Sequence, residues 1–104
     1  EAPHEGAVRE AFEEACANID IKDLLAVYSV RRISQVHMMY RAVLTEPTFS
    51  PGAESLEVQL FNWEDIPWDD LAFPSVHWVL NHFHAVKGQS GFAPFTNPEG
   101  WEHV

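Results

Sequence analysis

Three carboxylates at close spacing could do chemistry in this chain: Glu10, Glu13 and Glu14, in the run Arg9-Glu10-Ala11-Phe12-Glu13-Glu14. On a helix turning roughly 100° per residue they fall within roughly 100° of one another. Ala7, Val8, Ala11, Phe12 and Ala15 take the opposite side, small and apolar and suited to close packing on a sheet. Like charges three and four residues apart repel by about 0.2–0.5 kcal/mol per pair, so helix stability does not account for the cluster. A divalent cation does, because hard ions such as Mg²⁺ or Mn²⁺ need several oxygen ligands converging on one point. The competing reading is a solvated acidic face, where charge runs ordinarily sit.

For the carboxylates to act together, the stretch from Glu1 to Ala17 must be helical. Pro3 suits its first turn, and the exit falls near Ala15-Cys16-Ala17-Asn18. Gly6 is a slight weakness inside that turn. Cys16 reads as a small buried hydrophobe, since no His or other base lies near it in sequence. Ile21 to Arg32, rich in branched and aromatic residues, reads as a strand buried on both faces at its start. After Ile33-Ser34-Gln35, Val36 to Thr45 reads as its antiparallel partner. There Val36, Met38, Tyr40, Ala42 and Leu44 share one face, with His37, Met39, Arg41 and Val43 on the other.

Pro47, Pro51 and Gly52 mark a loop, Glu57 to Phe61 alternates as a short strand, and Asn62 to Asp70 reads as an irregular turn or a single helical turn. Ala72 to Val86 is a second helix, with Val76, Val79, Leu80 and Phe83 at helical spacing. Beyond Lys87-Gly88 no period is usable, and residues 87–104 are set apart as a tail. The order of elements is α+β, with an antiparallel or mixed sheet between helices.

A chain of 104 residues is one small domain, and 46% hydrophobic with 12% aromatic residues suffices for a core. Net charge is −10 with six Lys or Arg, which argues against nucleic acid or an anionic membrane as partner. Phosphate ligands then need metal ions or a local Arg cluster. One cysteine excludes an intrachain disulfide and fits a reducing cytoplasm. No apolar run approaches the roughly 18–20 residues of a membrane span, and no signal-peptide pattern is visible.

The spacing over the whole opening stretch resembles a family signature. Glu1-x7-Arg9-Glu10-Ala11-x-Glu13-Glu14-x-Cys16-Ala17 is similar to the Nudix box, G-x5-E-x7-R-E-U-x-E-E-x-G-U with U aliphatic. Glu1, Arg9, Glu10, Glu13 and Glu14 match, with Ala11 and Ala17 at U positions. Cys16 stands where the family has Gly, and the chain begins at the first Glu of the pattern. Downstream, Glu57-Val58-Gln59-Leu60-Phe61 followed by Asp65-Ile66-Pro67 resembles the E-A-x-W-F…E-L-P strand of Nudix hydrolases acting on dinucleotides and nucleotide sugars. The run from Pro51 to Phe73 resembles a bacterial and plant subgroup that often carries a zinc ribbon, for which the Cys pairs are not here.

The resemblance covers residues 1–86 and implies an α/β/α sandwich whose first strands and glycine loop precede Glu1. A half-sheet exposes an edge and an apolar face, so either more chain lies upstream or two copies complete one another as a homodimer. The implied activity is hydrolysis of the pyrophosphate of a nucleoside diphosphate linked to another group, of ADP-ribose, NADH or FAD type, with Mg²⁺ or Mn²⁺. Glu10, Glu13 and Glu14 would be metal ligands, and Arg9, with Glu1 as partner, would orient them. Glu57, and behind it Glu54, are candidates for a general base or extra ligand. Separate Gln substitutions with pH–rate profiles would decide each.

Arg31, Arg32 and Arg41 are candidates for a substrate phosphate, against ordinary ion pairing. His77, His82 and His84 read as helix-surface histidines rather than a zinc site. Trp63, Trp68, Trp78 and Trp101 read as core or interface. Two further readings stand beside the enzyme. One is a catalytically incompetent Nudix-fold module that binds or assembles. The other, a Ca²⁺-binding acidic module, is weakened by the lack of a D-x-D-x-D-G loop.

Overall fold

A computed structural model describes residues 1–46 and 63–104. The loop expected after Glu46 and the strand expected at Glu57–Phe61 lie outside the described residues. Two compact units are present: one joins residues 1–23 to the described residues of 42–66, and the other joins 24–41 to 67–104.

In the first unit, helix α1 spans Pro3–Ala15. Its N-cap, Ala2, has no side-chain acceptor, so only half a capping box forms: the Glu5 carboxylate accepts the Ala2 N–H at 2.9 Å. The helix ends where Cys16 turns left-handed, at φ 49° and ψ 28°. The Cys16 amide returns to the Phe12 carbonyl at 2.8 Å and the Ala17 amide to Ala11 at 3.3 Å. That is the geometry in which Gly is usual, because a β-carbon costs about 1–2 kcal/mol in this region. Cys16→Gly should therefore raise stability by about 0.5–1 kcal/mol after Gly's extra unfolded-state freedom is subtracted. A lowered urea midpoint would show that the thiol's packing outweighs the strain. The apolar side of α1 is only partly covered: Val8 is 38% and Phe12 54% exposed.

Strand β1 spans Ile19–Val30 and β2 spans Gln35–Leu44, antiparallel neighbours and, among the described residues, the two strands of the sheet. A 3₁₀ turn over Arg31–Ile33, closed by Ser34 at φ 53°, joins them. The two-sided burial expected at the start of β1 lies further along instead. Ile19 and Ile21 alternate with exposed Asp20 and Lys22, which pair at 2.8 Å, whereas Leu25, Ala26, Tyr28 and Val30 are buried.

The second unit holds the main core. Leu25, Ala26 and Tyr28 meet Trp78 and Val86, with Met39, Val79, Phe92, Phe95 and Val104 packed around them. Of the two faces of β2, the one carrying Met39 turns inward, while Val36 and Met38 are 64% and 42% exposed. Helix α2 spans Pro74–Ala85. Trp78 is its buried residue, Val79 packs partly buried against the core, Val76, Leu80 and His82 are half-buried, and Phe83 is 45% exposed. Tyr28 engages Trp78 and His82 of this helix. Trp78 meets its ring edge-on at 5.4 Å, and its hydroxyl lies 2.5 Å from His82 Nδ1. Two single 3₁₀ turns, Trp63–Asp65 and Trp68–Asp70, occupy the stretch expected to be an irregular turn or a single helical turn.

The segment after Val86 is tied to this core. Phe95 pairs with β1 in parallel fashion, its N–H donating to Leu25 O and its carbonyl accepting from Val27 N–H, both at 2.9 Å. Two residues on, the Asn97 carboxamide imitates a peptide group. It accepts from Ser29 N–H and donates to Ser29 O, each at 2.9 Å. The Val104 carbonyl then accepts the Arg31 N–H at 2.6 Å. No helix among the described residues is long and apolar enough to cross a membrane.

His82 is therefore not a surface histidine. Burial pushes the Tyr28 hydroxyl up to about 12 and His82 below its ordinary value, so Tyr28 keeps its proton and donates to a neutral imidazole. A histidine whose folded pKa is depressed binds protons more readily when unfolded. Its contribution is full above the unfolded value near ~6.5 and is lost as pH falls toward the lower folded value. The urea midpoint should thus fall more steeply between pH 7 and 5 in the native chain than in His82→Phe. Parallel profiles would remove His82 as the source.

Candidate functional site

The α1 carboxylates are organised by Arg9. Its Nε donates to both Glu1 oxygens at 2.9 and 3.2 Å, one terminal nitrogen reaches Glu1 at 2.8 Å, and the other reaches Glu13 at 2.9 Å. Glu10 stands 3.9 Å away, at the margin of an ion pair. The fork fixes geometry, as guanidinium–carboxylate pairs do. It contributes little stability, because all four side chains are 43–63% exposed. The Arg9 hydrogen bonds hold the Glu1 carboxyl below the usual range, and Glu1 and then Glu13 raise the Arg9 guanidinium further.

Gly6 acquires a reason here. A β-carbon on it would stand 3.3 Å from Glu1 Oε1, so the bare backbone leaves room for Glu1 to fold back onto Arg9. The sequence offered only a glycine at a position where glycine weakens a helix.

Glu10, Glu13 and Glu14 are exposed on α1, and Glu14 has an interaction of its own. Among the described residues, no three His, Cys, Asp or Glu side chains form a group that could hold a metal ion. The donor chemistry nonetheless fits a hard divalent cation, since all three offer carboxylate oxygens from one helix. The candidate bases Glu54 and Glu57 lie outside the described residues.

The three arginines considered for phosphate do not form a cluster. Arg41 donates to the carbonyls of Val86 at 3.0 Å and Gln89 at 2.7 Å, and lies 4.7 Å over the Phe92 ring. It thus ties down the carbonyl of the α2 C-cap residue and one in the loop that follows. Arg31 donates to His103 Nδ1 at 2.7 Å. Arg32 makes no hydrogen bond or ion pair among the described residues. Of the α2 histidines, His77 lies beside Trp68 at 5.5 Å and His82 stacks on Phe95 at 4.2 Å. Trp78 is core, as expected, and Trp101 packs beside it at 5.6 Å.

No protein-family model matches the chain, and no curated protein does. A solved structure of a Nudix hydrolase from Nitrosomonas europaea is 44% identical and superposes with a TM-score of 0.82 over 93% of this chain. The match takes in 56% of that protein, so the chain spans little more than half its length. At that identity and superposition, the fold of this chain is the Nudix hydrolase fold.

Proposed function

We propose that the protein is a metal-dependent hydrolase cleaving the pyrophosphate of a nucleoside diphosphate linked to another group, of ADP-ribose, NADH or FAD type. The observation that carries this reading is the Arg9 fork, which ties Glu1 to Glu13 on a helix that also displays Glu10 and Glu14. A neighbour of the same fold, itself a hydrolase, supports it.

Attack of water on a diphosphate must overcome the negative oxygens around phosphorus. Glu10, Glu13 and Glu14 would hold Mg²⁺ or Mn²⁺. When bound, such ions neutralise phosphate oxygens and acidify coordinated water. Arg9 positions the Glu13 carboxylate and Glu1 holds Arg9 in place, a role behind the ligands. Glu57 or Glu54 would accept the proton of the attacking water.

A second reading, a binding or assembly module without turnover, is favoured by Cys16 at a glycine position of the box. It is also favoured by the lack of a three-acid group among the described residues. Release of AMP from ADP-ribose or NADH separates the two. We expect release with Mg²⁺ or Mn²⁺ and none with EDTA. Binding of ADP-ribose without any release would select the module.

A further inference from the structure

The second unit contains a cavity of about 320 Å³ that the proposed hydrolysis does not use. Trp78 and Val30, 6% and 8% exposed, form its buried wall, and Ile33 and Phe73, 50% and 64% exposed, form its open side. The volume lies at the small end of the roughly 300–1,000 Å³ typical of small-molecule sites.

The charge around it runs against the rest of the chain. Sixteen Asp and Glu give the protein a net charge of −10, yet among the described residues no Asp or Glu lines this cavity, while Arg32 and His37 do. Val104, which also lines it, has its carbonyl taken up by the Arg31 N–H. Arg32 is exposed and without a hydrogen bond or ion pair among the described residues, whereas Arg9, Arg31 and Arg41 are all engaged. His37 Nε2 donates to Gln35 Oε1 at 2.8 Å, which fixes the ring. The first turn of α2, at Pro74 and Ser75, borders the same space, so the positive end of a twelve-residue helix dipole adds to the field.

We propose that this cavity binds a small aromatic or branched apolar molecule carrying one anionic group. The apolar body lies against Trp78 and Val30, and the carboxylate, sulfonate or phosphate lies on Arg32. Apolar walls supply affinity through area removed from water, and the single unengaged guanidinium supplies the preference for an anion.

Two fluorescent probes of nearly the same shape test this on the whole chain: 1-anilinonaphthalene-8-sulfonate and the uncharged N-phenyl-1-naphthylamine. The sulfonate is expected to bind with one-to-one stoichiometry and at least about tenfold more tightly than the neutral probe. Arg32→Gln, at an exposed position, should erase that preference and leave the neutral probe's affinity unchanged. Ser75→Trp should fill the space and weaken both, with circular dichroism and urea midpoints confirming that each variant is folded. Three results would overturn the proposal. They are an unchanged preference in Arg32→Gln, undiminished binding of both probes to a folded Ser75→Trp, and a wild-type chain that binds neither probe but is a dimer dissociated by Phe73→Glu. The last would assign the face to chain–chain contact.

Discussion

Glu14→Gln is expected to lower kcat for Mg²⁺-dependent release of AMP from ADP-ribose by about 100-fold or more, with helix content and urea midpoint unchanged. Residues that merely support metal ligands cost about 10–100-fold when removed, so a ligand itself should exceed that range. Glu14 is chosen over Glu13 because the Glu13 carboxylate is part of the Arg9 fork, at 2.9 Å. Removing Glu13 would disturb the fork and the metal together. Glu14 is exposed, and Gln has nearly the same helix propensity and shape. Loss of activity would therefore report lost ligation rather than lost fold. Mn²⁺ affinity, followed by calorimetry, should fall in parallel. Wild-type turnover in this variant would remove Glu14 from the metal site and sink the proposed arrangement.

Tyr28→Ala should be the most destabilising single substitution in the second unit, at about 3–5 kcal/mol. That is a large part of the ~5–15 kcal/mol that holds a whole domain folded. Tyr28 is fully buried, touches Trp78 edge-on and meets His82 through both ring and hydroxyl. Truncation therefore opens a cavity and leaves the imidazole without its donor. Tyr28→Phe keeps the ring and should cost about 1–2 kcal/mol, the value of one part-buried hydrogen bond. Chemical denaturation of both variants separates packing from hydrogen bonding. A cost under about 1 kcal/mol for the Ala variant would place the core elsewhere.

The acidic helix and its charged face were legible because both obey local rules: helical spacing gathers the carboxylates and puts Arg9 within reach of Glu13. The left-handed Cys16 was legible in part: its place at the glycine position of the box leaves two choices, a strained left-handed exit or a different one, and the structure takes the first. In α2, two overlapping stripes compete. Val76, Val79, Leu80 and Phe83 carry the stronger hydrophobic signal, and Val79 does pack against the core, but the buried residue is Trp78, because Tyr28 on another element offers it a ring and offers His82 a hydroxyl. No one-dimensional pattern contains that partner. The C-terminal pairing was equally hidden, because it combines one backbone ladder at Phe95 with one side-chain amide at Asn97. Arg41 read as a candidate anion contact because sequence cannot show that the Val86 carbonyl at the end of α2 and the Gln89 carbonyl beyond it accept from its guanidinium.

That C-terminal pairing bears on how the chain survives in concentrated solution. Leu24-Leu25-Ala26-Val27-Tyr28-Ser29-Val30 has no charge, no proline and no glycine, the composition from which stacked, fibril-forming assemblies start. With β2 on one border of β1 and Phe95 and Asn97 on the other, no border is left open for a foreign chain along Leu25 to Ser29. Residues 95–97 thus act as a gatekeeper. The frequency with which they lift away, more than the free energy of complete unfolding, should govern how fast this protein seeds aggregates.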